Sequence, residues 1–361
     1  MIRRVSTDPS LRGRGRLRRR PTRAPLATLC GAYLALAAGC TVFGGLTEDE
    51  EQRLATYQQN AATYYGGQRF GQALDAVEQG LEIAPDDYKL LAIRGWCYLR
   101  TANGDRANLR RAEESFGEVW DQRDILDHDR YVLLGYGRVK QEIGRWHREE
   151  AETLAREAAD PQLGPTARTT REASAKEHGR KAIAYWRDAE AAFEGLIGRE
   201  VLLRDAYKAL MELAVERGNY EDAVDWGQRC IDRIGAEKDD LKTVISEVMS
   251  LPREREARDN LAQLEDQEIR VRAALAEMHY RRENYAAAVE QLDQLLTIDP
   301  FRSIDYYNRA LAEEKLGREA DARRDYDKFL RTTSLPSSDD RVVRAFAWLR
   351  GNGSTAAESD R

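Results

Sequence analysis

A spacing of 34 residues governs this chain. Tyr57–Pro85 and Arg272–Pro300 read alike, as helix, turn and a second helix with a small residue early, closed by Ile83-Ala84-Pro85 and Ile298-Asp299-Pro300. With each proline as position 32 of a 34-residue unit, the units start at Leu54 and Ile269. The Leu54 unit puts Ala61, Ala73 and Val77 at positions 8, 20 and 24. One period later, Tyr88 opens a unit with Leu91, Gly95 and Tyr98 at positions 4, 8 and 11. Ser303 opens another, with Tyr306, Ala310, Ala322, Tyr326 and Phe329 at positions 4, 8, 20, 24 and 27. Arg204 starts a further unit through Tyr207, Met211, Ala214, Ala223 and Cys230. An insertion around Asn103–Asn108 delays Ala112, Phe116 and Val119 in the Tyr88 unit. Self-similarity at such a period means stacked supersecondary units rather than a single closed core.

These positions resemble the tetratricopeptide repeat family over most of residues 54–336. The resemblance implies an all-α, right-handed solenoid of about six or seven antiparallel helix pairs. Small residues at positions 8 and 20 let the two helices of a pair touch, and aromatics at 4, 11 and 24 fill the space beside them. Mid-helix Gly95 and Gly135 cost about 1 kcal/mol each in propensity, which close helix approach explains. Two units are degenerate, near His128–Leu163 (Tyr131, Leu134 and Gly135 in register) and Thr170–Ile197 (Ala189, Phe193 and Leu196). A charged helical insertion with a Leu251-Pro252 break lies between Glu237 and Glu268, so the irregular region spans residues 128–268 of a 51–336 solenoid. Val342, Val343, Phe346 and Leu349 recur at helix spacing, so residues 337–350 are expected to cap the last unit, with 351–361 a disordered tail.

The first 39 residues differ in kind. They carry nine arginines and one acid, Asp8, whereas the remainder carries 48 basic and 62 acidic side chains. An acidic body argues against duplex nucleic acid as the main ligand. A mean hydropathy of -0.68 excludes a polytopic membrane protein. The uncharged run Ala24–Gly39 follows an arginine-rich start, the build of a signal peptide, and is short of the roughly 20 residues of a span. Leu36-Ala37-Ala38-Gly39-Cys40 resembles the lipobox of bacterial lipoproteins. That resemblance implies cleavage after Gly39, a diacylglycerol thioether on Cys40 and an acyl chain such as palmitate on the new amine. Ala37 stands where leucine is commonest. The alternative is an unmodified Cys40 after an ordinary signal peptide or an anchor helix. Thr41 in place of Asp implies sorting to the periplasmic face of the outer membrane, with residues 40–50 a short linker. Glu48–Glu51 then solvates the start of the first helix.

No enzyme motif stands out. His128, His147, His178 and His279 form no metal-ligand spacing, and there is no Walker loop or nucleophile elbow. His147, near Glu149 and Glu150, reads as part of a solvated charged helix; His279, at position 11, reads as packed. Cys97 and Cys230 fall on core positions and read as buried thiols, so no cofactor or metal is expected. In the resembled family, ligands lie along positions 2, 5, 9, 12 and 13 of each first helix. Here those positions include Tyr65, Trp96, Arg100, Tyr280, Arg281 and Tyr307, aromatics and arginines of the kind that dominate protein interfaces. Gln58 and Ala62 depart from the Lys/Asn carboxylate clamp of chaperone-tail binders. The reading is a non-catalytic, envelope-tethered adaptor for a protein partner. The alternative is an accessory subunit of a cell-wall or polysaccharide enzyme complex, touching glycan through Trp96, Trp226 or Trp348.

Overall fold

The computed structural model describes residues 46–120, 130–247 and 250–356, so the leader, Cys40 and the last residues of the tail lie outside the described part. Every element among the described residues is a helix: α1 (Glu48–Gly66), α2 (Phe70–Leu81), α3 (Tyr88–Thr101), α4 (Arg106–Trp120), α5 (Arg130–Ala158), α6 (Pro165–Gly198), α7 (Leu203–Glu216), α8 (Tyr220–Glu247), α9 (Leu251–Arg281), α10 (Tyr285–Ile298), α11 (Ser303–Lys315), α12 (Glu319–Thr332) and α13 (Asp340–Ala356). Each helix packs on the next in sequence, and the first helices of successive pairs also touch, α1 on α3, α3 on α5 and α5 on α7. This is a linear stack of six helix pairs closed by α13.

Local chemistry marks the helix ends. Thr47 and Glu50 form a reciprocal capping box at α1, and Glu48–Glu51 occupy its first turn, where the helix dipole favours acids. Asp87 caps α3 by accepting from the Leu90 N–H at 2.9 Å. The turn between paired helices needs a left-handed residue, supplied by Gly218 (φ 74°) and Gly317 (φ 69°) but also by Gln68 (φ 58°) and Glu283 (φ 59°). A side chain at such an angle is strained.

Positions 8 and 20 are buried in all five well-formed units: Ala61 and Ala73, Gly95 and Ala112, Met211 and Ala223, Ala276 and Ala288, Ala310 and Ala322. Glycines take the closest approaches. A Cβ added to Gly95 would meet the Phe116 ring at 2.7 Å, and one on Gly135 would meet the same ring at 2.3 Å. Phe193 lies 2.4 Å from a Cβ on Gly137, and Trp186 lies at the same distance from one on Gly144.

The irregular region departs from expectation. The two degenerate units are one pair, the long helices α5 and α6. Gly137, not Gly135, is the position 8 of this pair, because it faces Phe193 of its own second helix while Gly135 faces Phe116 of the preceding pair. The shift of two residues puts Leu133 in the core and leaves Tyr131 52% exposed. After Gly144 nothing stops the helix: Glu149–Ala158 is built of strong helix formers without glycine or proline. The charged insertion likewise extends α8 and α9 on either side of the break, with Pro252 in the first turn of α9. Lys238 of α8 bonds Glu268 of α9 at 2.9 Å and closes the base of that hairpin. α13 runs past Arg350, the end expected for the cap, because extending a formed helix fixes one residue per new hydrogen bond.

Replacing Gly135 by Ala is therefore expected to lower stability by roughly 1–3 kcal/mol, despite alanine's better helix propensity. Gly179, also within a long helix, has nothing within 4 Å of an added Cβ. Its change to Ala is expected to raise stability by about 0.5–1 kcal/mol. Urea midpoints of the two variants should move in opposite directions; movement of both upward would refute the packing account.

Candidate functional site

The first helices of three successive pairs converge on a cavity of about 740 Å³. α3 contributes Trp96, Leu99 and Arg100, which a helix places on one face at positions 9, 12 and 13. α7 contributes Asp205, Lys208 and Glu212 at positions 2, 5 and 9. Between them α5 supplies Leu134, Arg138, Glu142, Arg145 and Trp146. Trp96 is half-buried, with its ring edge-on to Phe116 at 5.7 Å, and Arg100 lies 5.9 Å over that indole. Cross-helix ion pairs fix the floor. Arg138 pairs with Glu212, and Arg145 reaches Glu142 at 2.8 Å and Glu216 through Nε at 3.2 Å. Gln141 donates to the same Glu216 oxygen at 2.9 Å, while the other oxygen has no donor. Burial raises the Glu216 carboxyl above its ordinary range.

A second cavity of about 420 Å³ opens between α9, α10 and α11. Its walls are small and apolar, from Ala273, Ala276, Ala288, Leu292 and Leu311, with Glu277, Tyr280 and Asn308 as the polar rim. Tyr280 is held edge-on against Tyr285 at 5.1 Å.

The six groove residues expected from the repeat positions separate here. Trp96 and Arg100 share the larger cavity and Tyr280 lines the smaller one. Tyr65 packs on Phe70 at 5.8 Å and lines neither. Arg281 is not among the residues lining the smaller cavity; it bonds the Tyr220 hydroxyl at 3.2 Å and the rim residue Glu277 at 2.9 Å. Tyr307 is only 7% exposed, closed in by Tyr326, Phe329 and the Val342–Ala345 side of α13, and belongs to the core. The capping helix removes it from the groove. The spacing does not reach Arg138 and Glu142 while Gly135 holds position 8, and Arg145 falls on no groove position in either register. Counted from Gly137 as position 8, Leu134, Arg138 and Glu142 fall on positions 5, 9 and 13.

The buried titratable groups tell a second story. Cys97 and Cys230 are buried, and desolvation pushes both thiols up to about 12. His147 is buried rather than solvated, and shares a hydrogen bond with His178 at 3.0 Å. His279 is packed, its pKa lowered by burial. One unit later, position 11 holds Glu313 where the pattern wants an aromatic. Asp325 accepts two bonds from Arg309 at 2.6 and 2.8 Å, and Arg309 also reaches Asp293 at 2.6 Å. Glu313 is left with an oxygen lacking any donor. Burial, reinforced by the Asp325 carboxylate, pushes its pKa up to about 7. A carboxyl raised on folding stabilises the fold fully below its ordinary pKa, and that contribution is lost as pH rises toward 7. The change Glu313→Gln is expected to raise stability at pH 8 by on the order of 2 kcal/mol and to flatten the loss between pH 5 and 8. Urea unfolding at several pH values checks this; identical pH profiles for both proteins would refute it.

Comparison with known proteins bears on parts of the chain. Residues 244–334, from the end of α8 through α12, match the model of the bacterial transcriptional activator domain family. A 47-residue stretch, 13% of this chain, is 47% identical to the human small glutamine-rich tetratricopeptide repeat-containing protein beta. The match spans about a sixth of that relative's length, 16%. Among solved structures, a tetratricopeptide repeat protein from Parabacteroides merdae aligns over 82% of this chain and 98% of its own, at 13% identity and a TM-score of 0.32. The TPR2AB domain of yeast Sti1 in complex with pHSP90 aligns over 86% and 96%, at 12% identity and a TM-score of 0.26. The local identity thus falls to a tetratricopeptide protein, as the 34-residue spacing implies.

Proposed function

We propose that this chain is a non-catalytic scaffold that holds a protein partner in the cavity between α3, α5 and α7. The observation that carries the reading is that cavity itself. Three successive first helices line it with Trp96 beside Arg100, while most of its remaining charges are already paired with one another. An aromatic and an arginine at the centre of a partly neutralised groove are the makings of a binding hot spot. The glycan alternative calls for open indole faces. Trp226 instead stacks on Tyr207 at 6.0 Å and Trp348 lies on Tyr326 at 5.1 Å.

The same proposal places the scaffold on the periplasmic face of a bacterial outer membrane, held by lipid on Cys40. The lipobox-like Leu36–Cys40 supports the tether, and no helix among the described residues is long and apolar enough to cross a membrane. Two or more acyl chains anchor stably where one does not.

A photo-crosslinking residue in place of Leu99 is expected to capture one dominant protein from the native envelope. Arg100→Glu and Lys208→Glu, both outside the core, should each weaken that capture by about tenfold or more at unchanged melting temperature. Undiminished capture by both variants would move the partner elsewhere. Separately, Cys40→Ser is expected to shift the protein from the membrane to the soluble fraction and to remove a lipid-sized mass from its N-terminal peptide. Retention on the membrane at unchanged mass would overturn the tether.

A further inference from the structure

Outside the groove, α4, α5 and α6 enclose a cavity of about 360 Å³, within the roughly 300–1,000 Å³ of small-molecule sites. Its polar lining is almost all donors. Arg106 and Arg110 come from α4, Trp146 and His147 from α5, and His178, Lys181 and Tyr185 from α6. The one carboxylate, Glu113, is engaged by Lys140 at 2.7 Å. Arg106 is held by Glu150 at 3.0 Å and lies 4.5 Å over the Trp146 ring. Arg110 has no carboxylate partner among the described residues, and Lys181 has only a loose one, Glu177 at 3.7 Å. The cavity is therefore positive in a protein whose net charge is -6.

Two further observations point to an acceptor-rich occupant. The Trp146 Nε1–H is buried without an acceptor, a cost of about 1–3 kcal/mol that a ligand oxygen would relieve. The two imidazoles meet Nδ1 to Nδ1 at 3.0 Å, so a single proton bridges them and a second would be placed beside Arg106 and Lys181. His147 is accordingly pushed down to about 4, by burial first and then by His178, Lys181 and Arg106, with Glu113 acting in the opposite direction. Aromatic planes wall the space: Trp146 lies 4.2 Å from His147, which stacks on Tyr185 at 5.5 Å. The surrounding cations weigh against a metal ion on the histidine pair, and the described residues contain no cluster of three His, Cys, Asp or Glu that could hold one.

We propose that this cavity binds a small phosphorylated molecule, its phosphate received by Arg110, Lys181 and the His147–His178 pair, its body lying along Trp146 and Tyr185. A phosphate suits the lining because its several oxygens accept more donors than a lone carboxylate and its charge of nearly two offsets the uncompensated cations. The proposal does not rest on the scaffold reading, although this cavity shares Leu109 and Trp146 with the groove wall. Occupancy by an anion would also favour the protonated form of His147, raising its midpoint. Arg106, Arg110 and Glu113 on α4, Lys140 on α5, and Lys181 and Tyr185 on α6 set that balance.

Pyrophosphate titrated into the full chain at constant ionic strength, with imidazole ¹⁵N shifts as the readout, tests the proposal. The expected result is movement of the His147 and His178 signals with that of His279 unmoved, and a rise of the His147 midpoint by about one pH unit or more. Arg110→Gln and Lys181→Gln, both exposed, should each weaken the effect by about fivefold. Unmoved His147 and His178 signals at millimolar pyrophosphate would overturn the site. So would an undiminished response in the double variant, or a response of the pair to zinc but not to pyrophosphate.

Discussion

The contact on which the stack depends is an aromatic ring laid on a glycine. Phe116 of α4 is gripped between Gly95 of α3 and Gly135 of α5, Phe193 rests on Gly137, and Trp186 on Gly144. A helix gives up about 1 kcal/mol of propensity at each such glycine. In exchange a large ring is buried flush against backbone, worth more than that in removed apolar surface. The same contacts set how far apart α3, α5 and α6 stand, and so set the width of both cavities that these helices line. In the later pairs alanine takes position 8 instead, at Ala276 and Ala310, and position 24 of the second helix holds Leu292 and Tyr326, all four buried.

Much of this was legible from the spacing alone. Ala61, Ala73, Ala310 and Ala322 are all fully buried where positions 8 and 20 place them, and Tyr326 and Phe329 fill the core beside them. Legibility failed where two readings shared one signature. Gly135 and Gly137 are both mid-helix glycines within reach of a large ring, and only the identity of the ring tells them apart. Phe116 precedes and Phe193 follows, yet 56 residues separate Gly137 from Phe193 where an uninterrupted repeat sets 16 between those places. No count along the chain recovers that pairing. Tyr307 failed for a different reason: its position faces the groove in an interior repeat, but α13 covers the terminal one.

The charges of the two cavities have opposite logic. In the groove, Arg138, Arg145, Glu142, Glu212 and Glu216 neutralise one another within α5 and across to α7, so an incoming partner meets shape and a few free groups rather than a field. Removing one member would leave its partner unpaired in a half-buried setting, which costs more than the pair contributes. In the cavity between α4, α5 and α6, the cations outnumber the acids and the one carboxylate is spoken for by Lys140. Paired charge fixes geometry; unpaired charge of one sign asks for a ligand.

Leu109 and Trp146 line both spaces. Trp146 is the telling one, since its ring carries Arg106 on the anion side, touches both histidines and still forms part of the groove wall. Shared lining is not by itself communication. A ligand in one cavity changes affinity in the other only if it favours one of two arrangements of the shared side chains, and then the effect is equal in both directions. An acceptor in the anion cavity would complete the unsatisfied indole N–H, so any such preference would be expressed through this ring. Any coupling between the two would therefore act where their linings meet, at Trp146 and Leu109, and not along a path through the stack.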